Sequence, residues 1–346
     1  MPERIKVGMI LQPQAAHWTG YMDILSRLDE VISVVVADET GKTFDPAKQR
    51  IGAKLGGLYR DTREMLKQEH PEMVLVSLEP ADAPANIKAA LEAGCHVLAE
   101  KPACVREEDF VLLVEKARGQ GRQLMLAFAM RRQPMVEDAR HLVQEGCFGR
   151  LYGADTYFIA DQTRVAQKEQ QESWFFQKAR GGGGHLIWLG CHFIDLLQYV
   201  LGVKIVEVAS FTGVVGGQPV EVEDSAAVLF RFSNGMLGTL TSGYYLDKGK
   251  QSSFALWGEQ GWLRMWPLEK DCLEWYGIPL KETSARKQTM DYAAEKDGYH
   301  KFVRSAVRAA AGLEPPPIEP EEGLHVLKTI FAAYRAAETG RAQKVD

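Results

Sequence analysis

The chain has 346 residues, 46% hydrophobic and 25% charged, with a formal net charge of −5. That balance supplies a sizeable core and two domains, and it leaves no basic footprint for nucleic acid. Five scattered cysteines without a C-x-x-C (Cys95, Cys104, Cys147, Cys191, Cys272) argue against a disulfide framework and predict reduced thiols in a cytoplasm; no apolar run reaches the ~20 residues that span a bilayer, and no signal peptide is expected.

Short apolar runs recur through the first part of the chain, at residues 7–11, 31–37, 73–78, 96–99 and 124–128. Runs of this length without alternation suit strands buried on both faces of a parallel sheet. Helical patterns separate them. Asp61-Thr62-Arg63-Glu64 reads as a capping arrangement for a helix over 63–68. Residues 85–93 are alanine-rich and stop at Gly94, and residues 107–118 end near Gly119 and Gly121. This repetition predicts a doubly wound α/β domain over about the first 125 to 130 residues.

The pattern then changes. A helix is expected over 135–145, a strand over 151–159 and a long helix from His185. Strands follow at 226–232, 236–243, 254–257 and 262–265, separated by turn signals such as Ser233-Asn234-Gly235. These predict a mostly antiparallel sheet with one face against helices. Residues 312–320, with three consecutive prolines, read as a linker, and residues 321–339 as a closing helix ending at Gly340.

In a doubly wound sheet, ligands bind beyond the carboxyl ends of the strands. Glu100-Lys101-Pro102 stands there, directly after the fourth expected strand. A lysine in that place orients a hydroxyl and helps it shed its proton, although an isolated tripeptide would read as a surface lysine before a turn. Asp38, ending the second strand, is placed to accept hydrogen bonds from an adenosine ribose and to repel a 2′-phosphate, which favours NAD over NADP. Between the first strand and its helix a G-x-G-x-x-G turn is expected. The stretch reads Leu11-Gln12-Pro13-Gln14-Ala15-Ala16, with every glycine missing and Pro13 removing a backbone donor. Ala15 and Ala16 are small enough for a close approach.

Residues 181–184 are four glycines, a backbone that a ligand can approach closely. In the helix that follows, His185, Trp188, His192, Asp195 and Tyr199 recur at spacings of three and four, which predicts one polar-aromatic face lining a cavity. The bland reading of this stripe, histidines satisfied by backbone groups, stays open beside it. The spacing matches no metalloenzyme pattern, so no metal is expected.

Taken together and in order, these segments resemble the Gfo/Idh/MocA family, the glucose–fructose oxidoreductase and inositol dehydrogenase relatives. The resemblance runs through residues 89–102 with Glu100-Lys101-Pro102, residues 128–134 with Arg131-Arg132, residues 182–195, and the closing helix with Ala333-Tyr334-Arg335. It implies a Rossmann dinucleotide-binding domain over 1–128, an α+β domain with a large open sheet over 129–319, and a C-terminal segment 320–346 packing back toward the first domain. It further implies an oxidoreductase that moves a hydride between NAD or NADP and a secondary alcohol of a sugar or polyol, assembled as a homodimer or homotetramer. Lys101 and His192 match the family's catalytic pair. Trp188, His185 and Asp195 are expected at the substrate, and Asp38, Gln12, Ala15, Ala16, Glu100, Pro102 and Arg131 at the cofactor. Two departures stand out: Trp188 replaces an aspartate common four residues before the histidine, and the glycine motif is gone. The missing motif gives weight to one alternative, a non-catalytic sugar-binding or regulatory protein; a further alternative, which keeps the cofactor, is a redox-assisted glycoside-cleaving enzyme.

Overall fold

The computed structural model describes residues 4–280, 282–292 and 298–346. Two compact units emerge: one comprises residues 1–129, 179–182 and 299–324, the other residues 130–178, 183–298 and 325–346.

Among the described residues the first unit holds a six-stranded parallel sheet. Its strands are β1 (Ile5–Leu11), β2 (Val31–Ala37), β3 (Leu55–Tyr59), β4 (Met73–Ser77), β5 (His96–Ala99) and β6 (Leu124–Leu126), in the order β3-β2-β1-β4-β5-β6. Val34, Val35 and Val36 of β2 and Val74, Leu75 and Val76 of β4 are essentially solvent-free, which is why these runs are apolar without alternation. β3 was not anticipated. Its Leu-Gly-Gly-Leu-Tyr is half-buried at the sheet edge and carries no apolar run.

The intervening helices start and stop as their residues dictate. Asp61 caps Thr62–Glu69 by accepting from the Glu64 amide at 2.7 Å. Pro84 lies in the first turn of Ala83–Glu92, after which Gly94 turns left-handed with φ of +82°. Three acidic residues open Glu107–Gly119, where the helix dipole favours them. The order of the strands reverses between β1 and β4, so the crevice for a ligand lies beyond the carboxyl ends of these two.

The second unit is built on a nine-stranded sheet: β7 (Leu151–Asp161), β8 (Ile205–Gly213), β9 (Ser225–Phe232), β10 (Leu237–Leu246), β11 (Lys250–Gly258), β12 (Gly261–Met265), β13 (Cys272–Gly277), β14 (Arg286–Asp291) and β15 (Gln343–Lys344). Its order is β14-β13-β12-β11-β7-β10-β9-β8-β15, antiparallel except where β7 pairs with β10. β9 shows the one-sided pattern: Ala226, Val228, Phe230 and Phe232 are buried, while Leu229 is 59% exposed. Helix Cys191–Leu201 belongs to this unit, with Phe193, Ile194, Leu196, Leu197 and Val200 solvent-free. The five cysteines are all free. No described helix is long and apolar enough to cross a membrane.

Candidate active site

In the first unit, Glu100 continues the ladder of β5 by donating its amide to the Val76 carbonyl at 2.8 Å. Lys101 follows, only 5% exposed, and Pro102 is joined to it through a cis peptide bond. Glu100 is itself buried. Its Oε1 accepts from Tyr21 and pairs with His17 Nδ1 at 2.8 Å, while Oε2 lacks a hydrogen-bond partner among the described residues. Burial alone would raise the Glu100 carboxyl, but the His17 bond and the Lys101 charge outweigh it and hold it below its usual range.

The loop after β1 is compact without glycine. Gln12 donates its amide to the Ser77 carbonyl at 3.2 Å, and its side-chain oxygen accepts from the Glu79 amide at 3.2 Å. The Ala15 amide closes a turn onto the Gln12 carbonyl, and Ser77 donates its hydroxyl to the Ala16 carbonyl at 2.7 Å. Ala15 and Ala16 remain half-exposed. Helix Trp18–Arg27 then begins at His17, whose φ of +60° is a left-handed conformation more usual for glycine. These residues fit a dinucleotide: small side chains, a helix N-terminus after β1, and the switch point beside it.

Asp38 faces inward. Its carboxylate accepts from the Thr40 amide and hydroxyl and from the Thr43 amide, each at 2.9 Å, and the residue is 2% exposed. The side chain expected at the ribose therefore first holds its own loop, and Glu39, Thr40 and Lys42 are the exposed groups there.

In the second unit the expected stripe does not stay on one face. Residues Leu186–Gly190 form a π-turn before helix Cys191–Leu201 begins. The wider i→i+5 turn breaks the spacing on which a single face depends. His185 is fully buried, its Nδ1 bonded to the Ser242 hydroxyl at 2.7 Å and its ring edge-on to Tyr244 at 4.6 Å. Burial drives its pKa down to about 3, so it is a neutral core residue and not a group presented to substrate. Trp188 is 3% exposed, stacked on Phe175 at 4.2 Å and against Trp174 at 5.0 Å. Those neighbours occupy the surface that was expected to meet a sugar ring.

Asp195 and Arg131, expected at substrate and cofactor respectively, are paired with each other. Arg131 donates Nε and Nη2 to the Asp195 carboxylate at 2.7–3.0 Å, with both residues at most 2% exposed. Each thus has the other as a charged partner, as a buried charge requires. His192 stands in the first turn of helix Cys191–Leu201 and is half-buried. Of the expected face, His192 and Tyr199 are half-buried, while His185, Trp188 and Asp195 are buried.

Glu223, which the sequence did not single out, and Tyr334, noted there only within the closing helix, set the start of this helix. Glu223 is buried and accepts from the Gly184 amide at 2.8 Å, the Leu186 amide at 3.0 Å and the Tyr334 hydroxyl at 2.8 Å. Burial raises its carboxyl above the usual range even so. A Cβ on Gly184 would collide with the Glu223 carbonyl, and one on Gly183 with the Tyr334 hydroxyl. The glycines thus admit the chain's own backbone and a phenol. An adjacent glycine run was the available signal, although spacing could not name what approaches it. Among the described residues no group of three or more His, Cys, Asp or Glu side chains could hold a metal.

Comparison with known proteins bears on both units. Residues 7–128 match the model of the oxidoreductase family with an NAD-binding Rossmann fold, and residues 136–264 match the GFO/IDH/MocA C-terminal domain. The chain is 26% identical to D-glucoside 3-dehydrogenase of Escherichia coli K12 over 314 residues, covering 84% of this chain and 85% of that protein. It is 30% identical to levoglucosan dehydrogenase of Pseudarthrobacter phenanthrenivorans over 173 residues, so that match spans less than half of either protein, 44% of each. A solved levoglucosan dehydrogenase, in complex with NADH and L-sorbose, superposes with a TM-score of 0.86 at 20% identity over 99% of both chains.

Proposed function

The chain belongs to the GFO/IDH/MocA family of NAD-binding oxidoreductases, and on that premise we propose that Lys101 and His192 carry a dehydrogenase reaction at a secondary alcohol of a sugar-like substrate. The observation that supports it most is Lys101 itself, 5% exposed at the carboxyl end of β5 in a sheet of order β3-β2-β1-β4-β5-β6. An ammonium group held with so little water strengthens the electrostatic pull on a nearby alcohol oxygen.

The residues that would hold the dinucleotide are Gln12, Ala15 and Ala16 in the loop after β1, with the loop that Asp38 organises. When bound there, the nicotinamide supplies the hydride acceptor. The protein's own part is the proton and the orientation. Lys101 donates to the alcohol oxygen and stabilises the negative charge that develops on it. His192 takes the hydroxyl proton, a task for which imidazole is suited near neutrality. Glu100, tied to His17 and Tyr21, positions Lys101 from the preceding residue.

A second copy of the chain is the proposed partner. Phe211, Leu229, Leu237 and Trp257 on β8–β11 are 40–82% exposed, an apolar set that single surface residues do not explain. A reducing, cytoplasmic setting agrees with the free cysteines.

Calorimetry with NADH and NADPH, followed by NAD⁺ reduction across sugars and polyols, tests the assignment. Lys101→Ala and His192→Ala are each expected to lower kcat by about 10²–10⁴-fold while NADH still binds. Normal turnover in either variant overturns it.

A further inference from the structure

A cavity of about 430 Å³ opens in the second unit where the end of β7 meets the start of β11. Its size is that of a small-ligand site. Arg164 and Lys250 line it, opposed by one acidic residue, Asp161. Oδ1 of that carboxylate accepts from the Thr163 amide at 3.0 Å and Oδ2 from the Gly249 amide at 2.9 Å; the Thr163 side chain first, then these amides and the Lys250 charge, hold it below its usual pKa. Asp161 stays ionised and balances one of the two cations, so the charged side chains of the lining leave one net positive charge facing the cavity.

Tyr244 also lines the cavity. It is 4% exposed, and with the Arg164 guanidinium, a donor, beside it, its hydroxyl finds no acceptor among the described residues. Burial pushes the phenol up to about 12, against the opposing pull of the Arg164 charge, so it stays a donor. A buried donor without an acceptor is unfavourable, and an acceptor arriving in the cavity would relieve it. The place is tied to the proposed chemistry. The Arg164 guanidinium lies 4.6 Å over the Phe175 ring, and Phe175 stacks on Trp188. Leu189, another wall residue, belongs to the π-turn that leads directly into the helix carrying His192.

We propose that this cavity is an anion subsite, which takes the carboxylate or phosphate of an acidic sugar derivative on Arg164, Lys250 and the Tyr244 hydroxyl while His192 meets the reacting alcohol. It rests on the dehydrogenase reading above and narrows its substrate class. Guanidinium and ammonium groups supply charge and donors for either anion, and the phenol adds a directed hydrogen bond.

The test has a kinetic arm and a binding arm. NAD⁺ reduction is followed with neutral hexoses, the corresponding uronates and the corresponding 6-phosphates. NADH-loaded protein is titrated calorimetrically with inorganic phosphate and with glucuronate. Wild type is compared with Arg164→Ala, Lys250→Ala and Tyr244→Phe, each checked for retained NADH binding.

One anionic series is expected to exceed its neutral counterparts at least tenfold in kcat/KM. Each cation deletion should shrink that preference about tenfold, mainly through KM, and weaken anion binding alike. Preference for uronates identifies a carboxylate and preference for the esters a phosphate. Neutral sugars turned over without anion preference or anion binding would overturn the subsite and leave the dehydrogenase standing. Anion binding that depends on Arg164 and Lys250, with no sugar oxidised, would do the reverse. Neither binding nor turnover would sink both.

Discussion

Replacing Asp195 with alanine tests whether the carboxylate is structural or meets substrate. Asp195 is 1% exposed and accepts from Nε and Nη2 of Arg131, itself 2% exposed and lying 4.7 Å over the Tyr199 ring. Removing it takes from a buried guanidinium the carboxylate that accepts from its Nε and Nη2, a loss of about 3–5 kcal/mol. For a unit of this size that lowers the unfolding midpoint by on the order of 10 °C. The assay is thermal unfolding followed by circular dichroism, with the double variant Arg131→Met, Asp195→Leu beside it. Removing both charges should recover most of the loss, since two apolar side chains fill the space without an orphaned ion. A single variant that loses less than about 1 kcal/mol, or a double variant that recovers nothing, refutes the buried-pair account. If the double variant regains stability yet raises KM tenfold or more, Asp195 returns to the substrate site.

Three further predictions concern the residues around the site. His185, whose folded pKa of about 3 lies below its unfolded value, contributes stability that is fully present above about pH 6.5 and lost as pH falls through that window toward 3; the limiting slope is about 1.4 kcal/mol per pH unit. Urea midpoints measured from pH 7 to pH 4 should therefore fall less steeply in His185→Gln, and parallel curves would contradict the assignment. Gly184→Ala should yield little folded protein or a large loss of turnover, because its Cβ meets the Glu223 carbonyl; wild-type yield and kcat together would show that the approach is not tight. Asp38→Ala removes three hydrogen bonds from its own loop and should weaken NADH and NADPH binding together, by roughly 2 kcal/mol for lost charge-assisted bonds, whereas a selective loss of NADH binding in calorimetry would point to direct ribose contact.

Much of the first unit was legible because its physics is local. Continuous valine-rich runs occur where both faces of a sheet are covered, and the helix punctuation at Asp61 and Gly94 has only one economical reading. β3 escaped for the opposite reason, since an edge strand needs no apolar run and two glycines conceal it. β14 escaped likewise, its Arg-Lys-Gln-Thr-Met-Asp being mostly exposed at the far edge of the second sheet. The helix stripe misled because it assumed one periodicity from 185 to 199. A π-turn inside it sends His185 to Ser242, Trp188 to Phe175 and Asp195 to Arg131. Pairwise partners sixty or more residues apart, such as Arg131 with Asp195, leave no trace in local spacing.

The glycines carry the remaining lesson, because their steric duties were divided differently from the expected motif. A glycine after β1 would serve a tight turn and a close approach. Here Gln12 and Ser77 fasten the turn, and alanines stand where small size matters. His17 takes the left-handed conformation at the helix start, a strained place that persists when the surroundings over-determine it. Its imidazole supplies that constraint by pairing with Glu100 at 2.8 Å. The loop is thereby bonded to the residue that precedes Lys101. Four glycines instead gather at 181–184, where Glu223 and Tyr334 press against the backbone that leads to His192. In both units, then, a buried glutamate sets the chain that presents the proposed catalytic side chain: Glu100 beside Lys101, and Glu223 at the turn ahead of His192. Conservative replacement of either by glutamine keeps the shape and removes the charge, so it separates positioning from packing more cleanly than truncation does.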